Sequence, residues 1–183
     1  MADGLFYQDT RAPFIGADIT AVTLATTLKA LYPASNFPVL GGQYFNYIGK
    51  KLKIRLFGKV TTDGTAGNGN FGVFYGSGAD NTGVSLVTST AVALTTTQTN
   101  LSWWAEFYIS CRSTGSAGTL FCEGMAVFNE GVLAARQMIP ASAAVVSGAC
   151  DLTAANIISV QYTRTGAGVW TMAVQDMEVT AMN

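Results

Sequence analysis

The sequence predicts an all-β fold, an antiparallel sandwich or barrel, on three observations. Glycine-rich turns recur roughly every 8–12 residues through most of the chain. The segments between them are filled by β-branched and aromatic residues, and no segment sustains a 3.6-residue apolar period with helix caps. With 183 residues the chain suits one domain, large enough to bury its own core without a metal or disulfide.

Residues 1–38 read as an N-terminal arm plus a first strand. Leu5, Phe6, Tyr7, Phe14 and Ile15 are apolar, yet Pro13, Pro33 and Pro38 interrupt any regular element. Such an arm either lies on another surface or wraps its own sandwich and closes a sheet edge. The stretch from Thr20 to Leu31 is threonine-rich enough to supply the first strand of the body.

The body is expected over residues 39–183. Lys51 to Leu56 alternates strictly, with Leu52, Ile54 and Leu56 on one face and Lys51, Lys53 and Arg55 on the other. Asp63-Gly64 and Gly67-Asn68-Gly69-Asn70 read as turns, because Gly, Asn and Asp tolerate positive φ. Phe71 to Tyr75 is the next strand, and Val84 to Leu94 is strand-like in its Thr, Ser and Val content. Asn100 to Arg112 is the longest strand, and Thr119 to Phe128 returns antiparallel to it. Leu133 to Met138 is either a strand or a short helical turn. Ile157 to Thr163 and Val169 to Met182 read as a final hairpin across Thr165-Gly166-Ala167-Gly168.

The long hairpin permits a register. A turn centred between Ser116 and Ala117 sets Cys111 opposite Cys122, Ile109 opposite Gly124, Phe107 opposite Ala126 and Ala105 opposite Phe128. Large faces small in these pairs, as a packed sheet face requires. Cys111 and Cys122 are then neighbours, expected as free buried thiols rather than a disulfide. The opposite face carries Trp104, Glu106, Tyr108 and Ser110 against Asn129, Val127, Met125 and Glu123. Trp104, Tyr108, Met125 and Val127 are a large apolar load for a face meeting water, and they are expected to form a subunit interface. The alternative is that the arm or a second layer of the chain covers them.

Composition removes much chemistry. Charged residues are 11 %, against about 25 % in average soluble proteins, and the net charge is −1. So neutral a body has little field for nucleic acid or anionic lipid, and neither is expected as a partner. Lys50, Lys51, Lys53, Arg55 and Lys59 gather half of the ten basic residues, a pattern read as a solvated face or a dock for an acidic protein surface. Histidine is absent, which excludes Ser-His-Asp and Cys-His catalysis and histidine-ligated zinc. The three cysteines form no CxxC pair. Asp176 and Glu178 share a strand face at i, i+2, the remaining arrangement for glycosidase-like chemistry, although a plain polar face is the simpler reading. No enzyme activity, cofactor or metal is expected. The acidic N-terminus does not read as a signal peptide, and no apolar run approaches the ~20 residues of a membrane helix.

Two segments carry a resemblance. One runs from Thr96 to Gly124 and holds Gln98-Thr99-Asn100, Trp103, Glu106, Cys111-Arg112, Gly115, Gly118, Leu120-Phe121 and Gly124; the other is the terminus from Val174 to Asn183. Together with the Gly49-to-Thr62 run they resemble a family of tailed-bacteriophage virion structural proteins, with similarity over about residues 20–183. The resemblance implies a jelly-roll-type sandwich on the phage head, a decoration or cement protein partnered by the major capsid protein. It implies a homotrimer located at the virion's capsid surface and assembled in the host cytoplasm. On that reading Leu5, Phe6, Tyr7 and Phe14 of the arm contact the capsid. A tail or fibre protein is the alternative within the virion. A carbohydrate-binding module, with Trp104, Tyr108 and Trp170 as a stacking platform, is the alternative outside it.

Overall fold

A computed structural model describes the backbone of residues 9–11 and, in full, residues 19–42, 44–130 and 135–182. The described residues form an all-β sandwich of jelly-roll-like character, with one short 3-10 turn at Ala34–Asn36 and no α-helix. The strands are β1 (Asp9–Arg11), β2 (Val22–Thr23), β3 (Lys29–Ala30), β4 (Lys51–Thr61), β5 (Gly67–Gly76) and β6 (Val84–Thr88). They continue as β7 (Val92–Leu94), β8 (Leu101–Ser113), β9 (Thr119–Phe128), β10 (Ala135–Ile139), β11 (Ile157–Arg164) and β12 (Thr171–Met182). The larger sheet runs β1-β12-β4-β8-β9-β10, with β2 also on β12. The smaller runs β3-β11-β5-β6, with β7 also on β5, and all of these pairings are antiparallel.

The alternation of β4 places its side chains as the sequence requires: Leu52, Ile54 and Leu56 are buried while Lys51, Lys53 and Arg55 point outward. The stretch from Thr20 to Leu31 divides between the sheets, since β2 pairs with β12 and β3 with β11. Ile19, Leu24, Leu31, Tyr32 and Phe37 all enter the core. The Tyr32 hydroxyl donates to the Ile158 carbonyl and accepts from the Val160 N–H, which ties this segment to β11. The described part of the Leu133-to-Met138 segment belongs to the strand β10.

Three expectations need correction. Ile157–Thr163 and Val169–Met182 are not a hairpin: β11 lies in the smaller sheet and β12 in the larger, so Thr165–Gly168 is a corner between layers. Gly67–Asn70 is the start of β5 rather than a turn. Gly69 is glycine because a Cβ there would sit 2.3 Å from the hydroxyl of the buried Tyr162. The β8–β9 register is offset by two residues, so Cys111 faces Leu120 and Cys122 faces Ile109. A bulge between Cys111 and Ser113 changes the count near the turn. Because the offset is even, every side chain stays on its expected face. Cys111 and Cys122 are thus diagonal neighbours, and all three cysteines are free and buried.

Phe71 of β5 is central to the packing between the sheets. Its ring lies 4.7 Å from Tyr162, 5.7 Å from Trp103, 5.9 Å from Phe107 and 6.1 Å from Phe128. Such aromatic pairs add about 0.5–1.5 kcal/mol each beyond their buried area. One polar bridge crosses the same interior. Gln137 of β10, fully buried, donates from Nε2 to the Gly69 carbonyl at 2.8 Å and to the Tyr162 hydroxyl at 3.3 Å. Its Oε1 accepts from the Ser89 hydroxyl at 3.1 Å. This bridge pins the edge strand β10 to the opposite sheet.

Candidate interaction surface

The outer face of the larger sheet is built by the side chains that alternate away from the core on β12, β4, β8, β9 and β10. The registers order them into rows across the strands. One row reads Asp176, Phe57, Trp104, Val127, Arg136, and the next reads Glu178, Arg55, Glu106, Met125, Met138. A third reads Thr180, Lys53, Tyr108, Glu123, and a fourth Met182, Lys51, Ser110, Phe121. All four residues expected at a subunit interface, Trp104, Tyr108, Met125 and Val127, lie together here and are half-buried among their neighbours. Met138, 61 % exposed, extends the apolar area to the edge strand. Sequence reasoning missed Phe57, Phe121 and Met138, although the parity of β4 would have found Phe57.

Glu106 organises the charge on this face. Lys53 Nζ lies 3.0 Å from its Oε2, and the Tyr108 hydroxyl donates to Oε1 at 2.8 Å. Arg55 Nε approaches Oε2 at 2.9 Å, an ion contact rather than an aligned hydrogen bond, and Arg55 Nη1 lies 3.8 Å from Glu178 Oε2. Partial burial pushes the Glu106 carboxyl up, but the Tyr108 hydroxyl, Lys53 and Arg55 together hold it below the usual carboxylate range. The same hydrogen bond, with partial burial second, raises the Tyr108 phenol. Three cations also lie over rings: Lys53 5.7 Å from the Tyr108 centroid, Arg55 5.4 Å from Phe57 and Arg112 4.9 Å from Phe121. Lys53 and Arg55 of the basic cluster are therefore answered within the face. Lys50 turns away, over the rings of Tyr44 and Tyr47 at 5.4 and 5.5 Å.

The other sequence candidates are scattered. Asp176 and Glu178 do share a face, but Glu178 contacts Arg55 and accepts from the Thr180 hydroxyl, and Asp176 is exposed on open sheet. Neither lines either described cavity. Trp170 is fully buried in the core, so it cannot join Trp104 and Tyr108 in a stacking platform. The four arm residues Leu5, Phe6, Tyr7 and Phe14 lie outside the described residues. Among the described residues no cluster of metal-ligating side chains occurs, and no helix is long and apolar enough to cross a membrane.

A second apolar region, not foreseen from sequence, lies at one end of the sandwich. A groove of about 410 Å³ is lined by Pro38, Val39, Leu40, Tyr44, Leu52 and Val179. Val39, in its lining, is 62 % exposed. Its position just before Gly41-Gly42, in an irregular segment, gave no periodicity by which to place it. The fold and its surfaces thus define a class, an all-β sandwich whose larger sheet carries a broad outer face of mixed apolar and charged side chains. Comparison with protein-family models and with curated proteins finds no match to the chain.

Proposed function

We propose that this chain is a bacteriophage virion structural protein, a decoration protein that binds the outer head surface and stabilises the shell by bridging capsomers. The observation that carries the reading is the outer face of the larger sheet. Trp104, Tyr108, Met125 and Val127 expose apolar surface beside a charge network that is already balanced, which suits contact with protein more than capture of a small ligand. The resemblance of the Thr96–Gly124 and Val174–Asn183 segments supplies the virion setting, the major capsid protein as partner and a homotrimer as the expected assembly. The action is mechanical on this reading. Weak contacts repeated by symmetry add through effective concentration, and no bond is made or broken.

The test is fractionation of phage-infected cells that express the tagged full chain. Co-sedimentation with purified heads at a fixed ratio is expected. A chain left wholly in the soluble fraction, or carried only by tails, contradicts the head assignment.

A further inference from the structure

We propose that the apolar groove at the end of the sandwich is the seat of this chain's own N-terminal segment, entered by Leu5 and Tyr7. The backbone delivers that segment to the groove. β1 pairs with the edge of β12, and its Asp9 stands opposite Ala181, which lines the groove beside Val179. At about 3.3 Å per residue, Tyr7 lies within roughly 7 Å of Asp9 along the chain and Leu5 within roughly 13 Å. Both are within reach of the lining.

Strand parity chooses which side chains enter. Residues facing each other in an antiparallel pair share a face, and so do residues two apart along a strand. Val179 is buried in the core, and Ala181, two residues on, faces the buried Leu52 across the pair with β4. The groove therefore opens on the inner face of the larger sheet. Leu5 and Tyr7 have the parity of Asp9 and hence of Ala181, whereas Phe6 has the opposite parity. The chemistry agrees with the geometry. Pro38, Val39 and Leu40 wall one side of the groove and Leu52 and Val179 the other, so its lining asks for an apolar occupant. Tyrosine suits a half-open site, because its ring is apolar and its hydroxyl can stay in water. Lys50 lies over the ring of Tyr44, another lining residue, and Lys51 follows it. Asp3-Gly4-Leu5-Phe6-Tyr7-Gln8-Asp9 carries two acids and no base, a charge complementary to those lysines.

The inference does not rest on the functional reading. It concerns the end of the sandwich and leaves the outer face of the larger sheet to the partners proposed above. It withdraws Leu5 and Tyr7 from the capsid contact that the resemblance implies and leaves Phe6 and Phe14 to it. Head binding is read by co-sedimentation and the seat by cross-linking and melting, so either reading can fail alone.

Cross-linking in the full chain tests the seat. Tyr7→Cys combined with Val39→Cys, treated with a short bifunctional thiol reagent, should link within one chain, giving a product of monomer mass by mass spectrometry. The three native thiols are buried, and the parent chain supplies their background. Tyr7→Cys combined with Val169→Cys should not link, since Val169 is exposed beyond the far end of β12, roughly 30 Å away. Tyr7→Ala should lower Tm by about 4–8 °C, because it empties the groove. Phe6→Ala, of opposite parity, should lower it by less than about 2 °C. A link found only between chains would give the groove to a second copy and overturn the proposal. So would absence of a link to Val39, equal linking to Val39 and Val169, or a Tyr7→Ala shift no larger than that of Phe6→Ala.

Discussion

Replacing Gln137 by alanine tests the interior that holds the edge strand β10 of the outer face in place. The side chain is fully buried and makes three hydrogen bonds, to the Gly69 carbonyl, the Tyr162 hydroxyl and the Ser89 hydroxyl. Truncation removes all three and leaves a void between the sheets. Ser89 keeps its contacts to the Phe71 N–H and the Thr90 carbonyl, so its loss is small. The Gly69 carbonyl and the Tyr162 hydroxyl each lose a donor in a dry interior, about 1 kcal/mol apiece. The cavity adds about another 1 kcal/mol, giving a total near 3 kcal/mol. For a domain of this size that lowers Tm by about 6–12 °C. Gln137→Leu fills the volume but leaves both polar groups unpaired, so it should recover no more than the cavity share, about 1 kcal/mol. Urea unfolding followed by tryptophan fluorescence reads both variants, since Trp103 and Trp170 are buried. A Gln137→Leu chain as stable as the parent would refute the reasoning, because it would mean that the bridge contributes nothing beyond its bulk.

Further outcomes follow from the surface and the thiols. Glu106→Gln should cost about 1 kcal/mol at pH 7, in line with a small surface charge network. The folded-state carboxyl lies below its ordinary value, so this stabilisation is present above the unfolded pKa and is lost as pH falls through the folded one. The melting difference between Glu106→Gln and the parent should therefore shrink as the pH is lowered through and below the ordinary carboxylate range, and a difference undiminished in acid would remove the charge explanation. Cys111, Cys122 and Cys150 should be silent to a thiol reagent in the folded chain and give three thiols per chain in denaturant, because burial raises all three thiols and none is bonded. Fewer than three in denaturant would contradict the free-thiol structure. Gly69→Ala should destabilise by about 1–3 kcal/mol in urea unfolding, since the added methyl strikes the Tyr162 ring. A neutral result would show that the ring has room to move.

The strands were legible in the sequence wherever one face met water. The alternation of Lys51 to Leu56 and of Trp103 to Cys111 reports burial directly, so parity alone places Trp104 and Tyr108 on the outer face. The absolute register of β8 against β9 was less legible. Matching large residues to small ones chose the wrong offset, since the observed register sets Trp103 against Phe128 and Ala105 against Ala126, and the bulge beside Arg112 leaves no mark in composition. Beyond the β8–β9 hairpin, which strands share a sheet was not legible. Thr165-Gly166-Ala167-Gly168 has the residues of a hairpin turn, yet the chain changes layer there; a glycine corner and a glycine hairpin use the same freedom of φ. Gly67 to Asn70 misled for a related reason. Gly69 is there to admit the Tyr162 ring from a strand distant in sequence, and local composition cannot distinguish that need from a turn.

An electron cryo-microscopy map of purified phage heads that carry the chain bears most directly on the proposed role. Sandwich-shaped density is expected on the outer shell, seated across capsomer boundaries, into which the two sheets fit. Heads with bare outer surfaces, or the same density found only along the tail, would contradict that role.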